Sequence, residues 1–599
     1  MRLIHPFFPT GFLCLALSIP AFSQFNVNNR IVFTANMNGV QVVPPVSTGA
    51  RGLVTFNIAS DLSSVTIHGV FSGLSGPVTA CKIYNGKAGF NGAEFFDLAE
   101  GLSGNEIRAT LTPLPPDFIK KGLEYKLYLT VQTSAHPDGE IRGQLEVETA
   151  THYIALMEGS QAVPSVNTSA SGFASIYYQP GDFYAYYTVL ANGLSGPVTG
   201  VSIKSGQIGT AGTTIITLNA SNPSVGQIDL VSAPADFKSK LESQQIAVNI
   251  ETAAHPSGEI KGQLAPFSPV SFEGFMNGDQ AVPPVATSAQ GLAVAKLSSD
   301  LDSLIYFAAV TGLTPQSARI HTAPPSQTGP IVANMSPSIL PNLYFGSVQI
   351  TPGEAIPFLN GEGYVNITTA AHPDGEIRCQ FQSLLRQCFA FDLCGNQEVP
   401  PSGSNAIGSA IISVDPLNTH LTYHFIADGL SGPATGAQLE EAAFGESGSL
   451  LAPLFLPDPL GSGQFPVDGN FVAKLQSDNT CLNFLTAAFP DGEIRGQVRK
   501  ELSCEGGSGI SDPFVSEWRL FPNPAPESAM LAFFAEKAFE GIIEIYDLTG
   551  KPVQAVRRYF DAGRQSLELD LREQPPGLYF VKMNTGKGII PAIKLVVNH

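Results

Sequence analysis

Charge is scarce in this chain of 599 residues: only 14% are Asp, Glu, Lys or Arg, and 32 basic residues face 51 acidic ones for a formal charge of −19. That deficit excludes a nucleic-acid partner, because phosphate neutralisation needs clustered basic side chains. Catalytic signatures are missing as well. The sequence holds no GxSxG elbow, HExxH helix, GxxxxGKS/T phosphate loop or dinucleotide-type glycine fingerprint, so the motif-based routes to hydrolase, metalloprotease and nucleotide chemistry are closed. Long apolar runs are absent too. The stretch from Phe7 to Phe22 is interrupted by Pro20 and falls short of the roughly 20 residues a membrane helix requires, so the mature chain is expected to carry no transmembrane helix.

Turn chemistry is plentiful. Gly 59 and Pro 46 are interleaved with Val, Ile, Leu and Phe in a chain that is 43% hydrophobic, a pattern that excludes disorder and collagen and predicts an all-β protein of several domains. Met1 and Arg2, the apolar stretch, and the small residues Ala21 and Ser23 before Gln24 form a secretory signal over residues 1–23. Cleavage removes Cys14 and leaves Cys81, Cys379, Cys388, Cys394, Cys481 and Cys504. An oxidising destination permits disulfides. The last five, crowded into one stretch, are the candidates for local staples, with their connectivity left open. Zinc is the rival reading for Cys379, Cys388, Cys394 and Cys481, but no CxxC pair is present.

Comparison of the chain with itself is more informative. Val43-Pro44-Pro45, Val163-Pro164-Ser165, Val282-Pro283-Pro284 and Val399-Pro400-Pro401 recur at a period near 120 residues, too long for a solenoid unit. A middle block, Gly73-Leu74-Ser75-Gly76-Pro77, returns at Gly193 to Pro197, loosely at Gly312 to Pro315, and at Gly429 to Pro433. The closing block reads HPDGEIRGQL, HPSGEIKGQL, HPDGEIRCQF and FPDGEIRGQV. Three blocks in one order predict four modules, 25–149, 150–266, 267–385 and 386–504, each an antiparallel β-sandwich with its own core that behaves as an independent bead.

The closing block has a structural explanation. Proline presets the first turn position and glycine takes the positive φ that reverses the chain, which assigns the turn to His136, Pro137 and Gly139, to His255 and Gly258, to His372 and Gly375, and to Gly492, where Phe489 replaces the histidine. After the turn, Glu140 and Arg142 share one strand face while Ile141 points into the core. The same holds for Glu259, for Glu376 and Arg378, and for Glu493 and Arg495. The carboxylate and guanidinium are expected outside the core or at its rim. The functional alternative is a ligand or cation site repeated in every module.

Together the three blocks resemble the CHRD domain, named from chordin and present in many bacterial secreted proteins. Over about residues 30 to 503 the resemblance implies an extracellular, β-sandwich-like module without enzymatic activity or cofactor. Typical bacterial members carry a His-Ile-His after the middle block and another His before the closing turn, a set suited to metal. This chain has Lys82-Ile83-Tyr84, Ser202-Ile203-Lys204, Arg319-Ile320-His321 and Gln438-Leu439-Glu440. His321 alone survives as a weak metal candidate, one imidazole where three or four ligands are needed.

Residues 505–517 read as a linker, and 518–599 depart from the repeat. Leu520-Phe521-Pro522-Asn523-Pro524 is followed by Asp547-Leu548-Thr549-Gly550-Lys551-Pro552-Val553, Pro576-Gly577-Leu578-Tyr579-Phe580-Val581 and Lys594-Leu595-Val596-Val597. Short alternating strands there predict a small β-sandwich. The order is similar to the type A C-terminal sorting domain of the type IX secretion system. That resemblance implies the type IX machinery as partner, export across a Gram-negative outer membrane, removal of the domain, and a secreted or cell-surface destination. The whole reads as a non-enzymatic adhesion or binding protein for an extracellular protein or glycan. An exported metal-binding or redox-active protein and an envelope spacer are the alternatives.

Overall fold

The computed structural model describes residues 31–178, 184–267, 269–454, 460–498, 515–521, 525–535, 538–546, 552–572, 574–584 and 589–598. The signal segment, Cys504, Pro522, Asn523, Pro524, Gly550, Lys551 and residues 505–514 of the expected linker lie outside them.

In the first module, alternating apolar positions build β1 (Val32–Asn38), β2 (Arg51–Ile58), β3 (Val65–Ser72), β4 (Val78–Asn85), β5 (Ala93–Asp97), β6 (Leu102–Ser103), β7 (Glu106–Leu111), β8 (Leu127–Thr133), β9 (Ile141–Gln144) and β10 (Glu146–Val147). They form one antiparallel sheet in the order β5-β4-β8-β9-β1-β2-β3-β7-β6, with β10 also on β1. The four residues of β9 are the corner. Ile141 pairs with Val131 of β8, whereas Arg142 also pairs with Asn38 of β1, so the sheet folds over and encloses Phe56, Ile67, Phe71, Ile83, Leu129 and Val131. The third module resolves the same halves into separate sheets of five and four strands.

One helix per module closes the core: α1 (Phe118–Leu123), then Phe237–Glu242, Pro352–Leu359 and Gly469–Gln476. Phe118 is fully buried, edge-on to Phe33 at 6.2 Å. Helices of less than about two turns leave little periodicity in a sequence, and these were not expected.

The modules are not independent beads. The described residues from 31 to 498 form one compact unit, because apolar residues on the outer face of β2 and β3 are covered by another module. Leu53 and Val70 of the first module pack on Ile407 and Ile426 of the fourth. Phe173 and Leu190 of the second pack on Leu292 and Ala309 of the third. The linkers also pair: Ala150 donates to the Leu384 carbonyl and Arg386 to that of Glu148.

A buried ionic cluster lies between modules one and four. His68 Nε2 is 3.0 Å from Glu106 and its Nδ1 is 2.7 Å from Asp392, while Arg108 reaches both Glu106 and Asp392. Burial pushes His68 toward neutrality, but its hydrogen bonds to Asp392 and Glu106 outweigh this and hold its pKa above the ordinary value. Burial works against the Asp392 charge too, yet His68 and Arg108 hold that carboxyl below its ordinary range.

The second unit holds the described residues from 515 onward. Val515–Phe521, Ser528–Ala535 and Gly563–Asp570 form one sheet, and Phe539–Tyr546, Pro552–Phe560, Gly577–Asn584 and Ile589–Val597 the other. Leu531, Phe533, Ile543, Ile545, Leu569 and Val581 fill the space between them, as a small sandwich requires.

Asp392→Ala leaves Glu106 alone to balance His68 and Arg108 and should cost about 3 kcal/mol, read as a lower unfolding midpoint and faster amide exchange in β3 and β7. The Asp392 contribution is present above pH 4 and fades as pH falls through its lowered pKa. The His68 contribution is complete below about pH 6.5 and fades as pH rises through its raised pKa, so the contact is strongest between the two limits.

Candidate functional site

The closing turn has the geometry its residues demand. Gly139, Gly258, Gly375 and Gly492 have φ of 126°, 126°, 138° and 142°, a region that side chains avoid. At the histidine position the main chain does the work: His136 exchanges backbone hydrogen bonds with Thr133, as Phe489 does with Thr486. His136, His255, His372 and Phe489 are all half-buried, and backbone pairing accounts for the tolerance of phenylalanine.

The glutamate after the turn departs from its expected rim position. Glu140 is fully buried and joins the three repeated blocks: it accepts from Thr48 Oγ1 at 2.9 Å behind the opening block, from Ser75 N at 2.9 Å and Oγ at 2.7 Å in the middle block, and from Thr133 Oγ1 at 2.7 Å before the closing turn. Glu259 repeats this with Thr168, Ser195 and Thr252, and Glu493 with Ser404, Ser431 and Thr486. In the third module, where Thr314-Pro315 replaces Ser-Gly, Glu376 receives hydroxyls from Thr287 and Thr369 and is half-buried. Burial pushes the Glu140, Glu259 and Glu493 carboxyls up, but these donors outweigh it and hold each below the ordinary 4.5.

Arg142 is also buried, at 2% exposure, and no ion pair joins it to Glu140. Its guanidinium lies 3.4 Å over the Tyr128 ring and donates to the Lys87 carbonyl. Arg378 does the same over Tyr364 at 3.6 Å, donating to the Gln327 carbonyl. Arg495 donates to the carbonyls of Glu446 and Ala443. Gln144 ties the Gly86 and Tyr125 carbonyls, and its N–H donates to the Gln41 side chain. Gln41 stands two residues before the opening block and Gln144 inside the closing block, and both recur in all four repeats, the one signal in the sequence for this pairing. The opening loop therefore runs along β9 from the closing turn, where Thr48 meets Glu140, to the hairpin loop after β4, where Asn91 donates to the Val43 carbonyl; Val40 of the opening loop is 78% and Phe90 of the hairpin loop 70% exposed.

His321 stacks on Tyr364 at 4.9 Å and meets the Gly329 carbonyl through Nδ1. Burial lowers its pKa. No group of three His, Cys, Asp or Glu side chains among the described residues is arranged to hold a metal. No disulfide joins Cys379, Cys388, Cys394 and Cys481 to one another. Cys388 and Cys394 lie at the two ends of one strand, and the strand Ile494–Gln497 separates Cys394 from Cys481, a span of about 10 Å across two strand spacings, beyond disulfide reach. In the terminal unit Gly577 opens its strand, the buried Tyr579 donates to the Pro575 carbonyl at 2.8 Å, and Lys594 pairs with Phe580.

Four sandwiches with one loop-end chemistry, followed by a fifth small sandwich, define a modular all-β protein. The chain belongs to the CHRD domain family, whose profile matches residues 33–145, 153–264, 272–381 and 389–498. Residues 519–598 match the secretion system C-terminal sorting domain, which marks the chain for type IX export. Similar curated proteins are chordin of Xenopus laevis, 24% identical over 413 residues covering 64% of this chain and 43% of that one, and chordin of Danio rerio, 29% identical over 166 residues covering 24% and 17%. The chain therefore spans less than half the length of either. Among solved structures, dimeric latent PorU from Porphyromonas gingivalis aligns over 79% of this chain and 31% of its own at 10% identity, with a TM-score of 0.13 that carries no argument. No helix among the described residues is long and apolar enough to cross a membrane.

Glu140→Gln replaces an acceptor of four hydrogen bonds with an amide that is itself a donor and should destabilise the first module by about 2–3 kcal/mol. The wild-type contribution is present above pH 4.5 and is lost as pH falls through the lowered pKa, so urea titrations of the variant should show a shallower acid dependence. Gly139→Val forces a β-branched residue to φ of 126° and sets its Cβ 2.5 Å from Thr130 Cγ2, which should cost about 2 kcal/mol in the same measurement.

Proposed function

We propose that the chain is a non-enzymatic binding protein, exported by the type IX system and then held at the cell surface or released, that engages an extracellular protein or glycan through the loop ends of its CHRD modules. The sorting domain behind the four repeated loop ends carries this reading. Packing of module one on four and two on three fixes the loop ends relative to one another, so that binding at one raises the effective concentration at the next. The same packing shortens the array, which gives a spacer no advantage. A metal or redox role would need a ligand set that the middle-block positions replace with Lys82, Tyr84, Ser202 and Lys204.

Mass spectrometry of the surface and medium fractions should find a product beginning near Gln24 or Phe25 and ending before Trp518, and deletion of 518–599 should hold the protein inside the cell. Export undiminished by that deletion contradicts the reading. The paired substitution Val40→Ser and Phe90→Ser, at exposed positions, should weaken attachment of the exported protein to its native surface about fivefold. Unchanged attachment argues against the loop ends.

A further inference from the structure

The basic residue of the closing block lies on a tyrosine ring in the first and third modules. In the first, Tyr84 and Tyr128 stack at 5.3 Å and Arg142 lies on Tyr128. In the third, His321, Tyr364 and Arg378 form the same stack. In the fourth, Cys481 takes the ring position and Arg495 donates to the Glu446 and Ala443 carbonyls.

The second module breaks the pattern. Lys204 pairs with Ala247, and Ala247 with Gln263, at the register positions held by Tyr84, Tyr128 and Gln144 in the first. Both rings are gone and the guanidinium is replaced by Lys261. Next to these positions, on the side of Gln263, lies a hollow of about 330 Å³ bounded by Val163 and Ser165 of the opening block, Ile208 of the hairpin loop, and Lys261 and Gln263.

Lys261 is 4% exposed. Its ammonium group donates to the Thr210 carbonyl. Glu158 faces it in strand register, but no ion pair joins the two. Burial first, and the charge of Lys204 second, weigh against the charged form of Lys261, and an anion entering the hollow would supply the carboxylate that its ammonium group lacks. Ile208, 73% exposed on the wall, offers an apolar surface that a ring would cover. The volume sits at the small end of ligand sites, roughly 300–1,000 Å³. An inorganic anion would fill little of it and bury nothing against Ile208 or Val163.

We propose that this hollow binds one acidic sugar residue, its carboxylate toward Lys261, its ring against Val163 and Ile208, and its hydroxyls toward Ser165 and Gln263. The assignment deepens the binding reading above and rests on it.

Saturation-transfer NMR and calorimetry on the full chain, with D-glucuronate as probe and D-glucose and sulfate as controls, test it. Glucuronate should bind saturably, more weakly at high salt, and at least tenfold more tightly than either control. Lys261→Met should weaken it at least tenfold. So should Ala247→Tyr, which restores the ring of modules one and three, with the thermal unfolding midpoint of each variant confirming its fold. Absence of glucuronate binding, binding indifferent to both substitutions, or sulfate binding equal to glucuronate each overturns the proposal. Attachment of the exported protein to its native surface is read in parallel. If it persists while glucuronate fails to bind, this site alone falls; if no extracellular ligand is engaged at all, the binding reading falls with it.

Discussion

A carboxylate held inside a sandwich is the constraint on which the rest of each module depends. A buried anion is tolerated only when donors surround it, and the donors available to Glu140 come from three loops far apart in sequence: Thr48, Ser75 and Thr133. Satisfying the charge therefore fixes the opening loop against the middle turn and both against the closing hairpin. The repeated blocks recur in one order because they are the parts of one hydrogen-bonded cluster. Gly139 belongs to the same constraint, since the chain must reverse tightly for the next residue to point back into that cluster.

A second level of packing follows from the outer face of β2 and β3. Residues such as Val70, Leu190, Ala309 and Ile426 occupy the face that a solitary sandwich would give to water, and each covers its counterpart in another module. The ionic group of His68, Glu106, Arg108 and Asp392 then selects partners: it spans modules one and four, while the second module offers His152 and Ser175 to Ser271 and Glu273 of the third. Glu273 is half-buried, and desolvation pushes its carboxyl up to about 7, with hydrogen bonds from Ser175 and Thr188 opposing the rise. The two interfaces thus carry different polar chemistry, which disfavours exchange of partners.

Much of the fold was legible. Period-two alternation, turn residues and the spacing of three motifs gave four sandwiches and a terminal one, and Gly139 and its counterparts have the positive φ that the turn requires. What escaped depended on side chains meeting across the fold. Glu140 and Arg142 sit two apart on a strand, and charge alone placed them at a rim. Their burial follows from donors some 65 to 92 residues away along the chain and from a tyrosine face, neither visible in local pattern. The packing of modules was hidden for a related reason: Leu53 and Val70 look like ordinary strand residues until another module covers them. Short helices closed by a single phenylalanine or leucine carry too little periodicity to be read. The cysteines, grouped in sequence, are kept apart by strand order.

The central claim is that an ionised, fully buried glutamate organises the loop end of a module. Side-chain carboxyl ¹³C shifts of the full chain, with Glu140 assigned by difference from Glu140→Gln, test it most directly. The account predicts a Glu140 titration midpoint below 4.5, accompanied by shift changes at the Ser75 amide through the same transition. A midpoint at or above the ordinary glutamate value, or a Ser75 amide indifferent to it, would contradict the account.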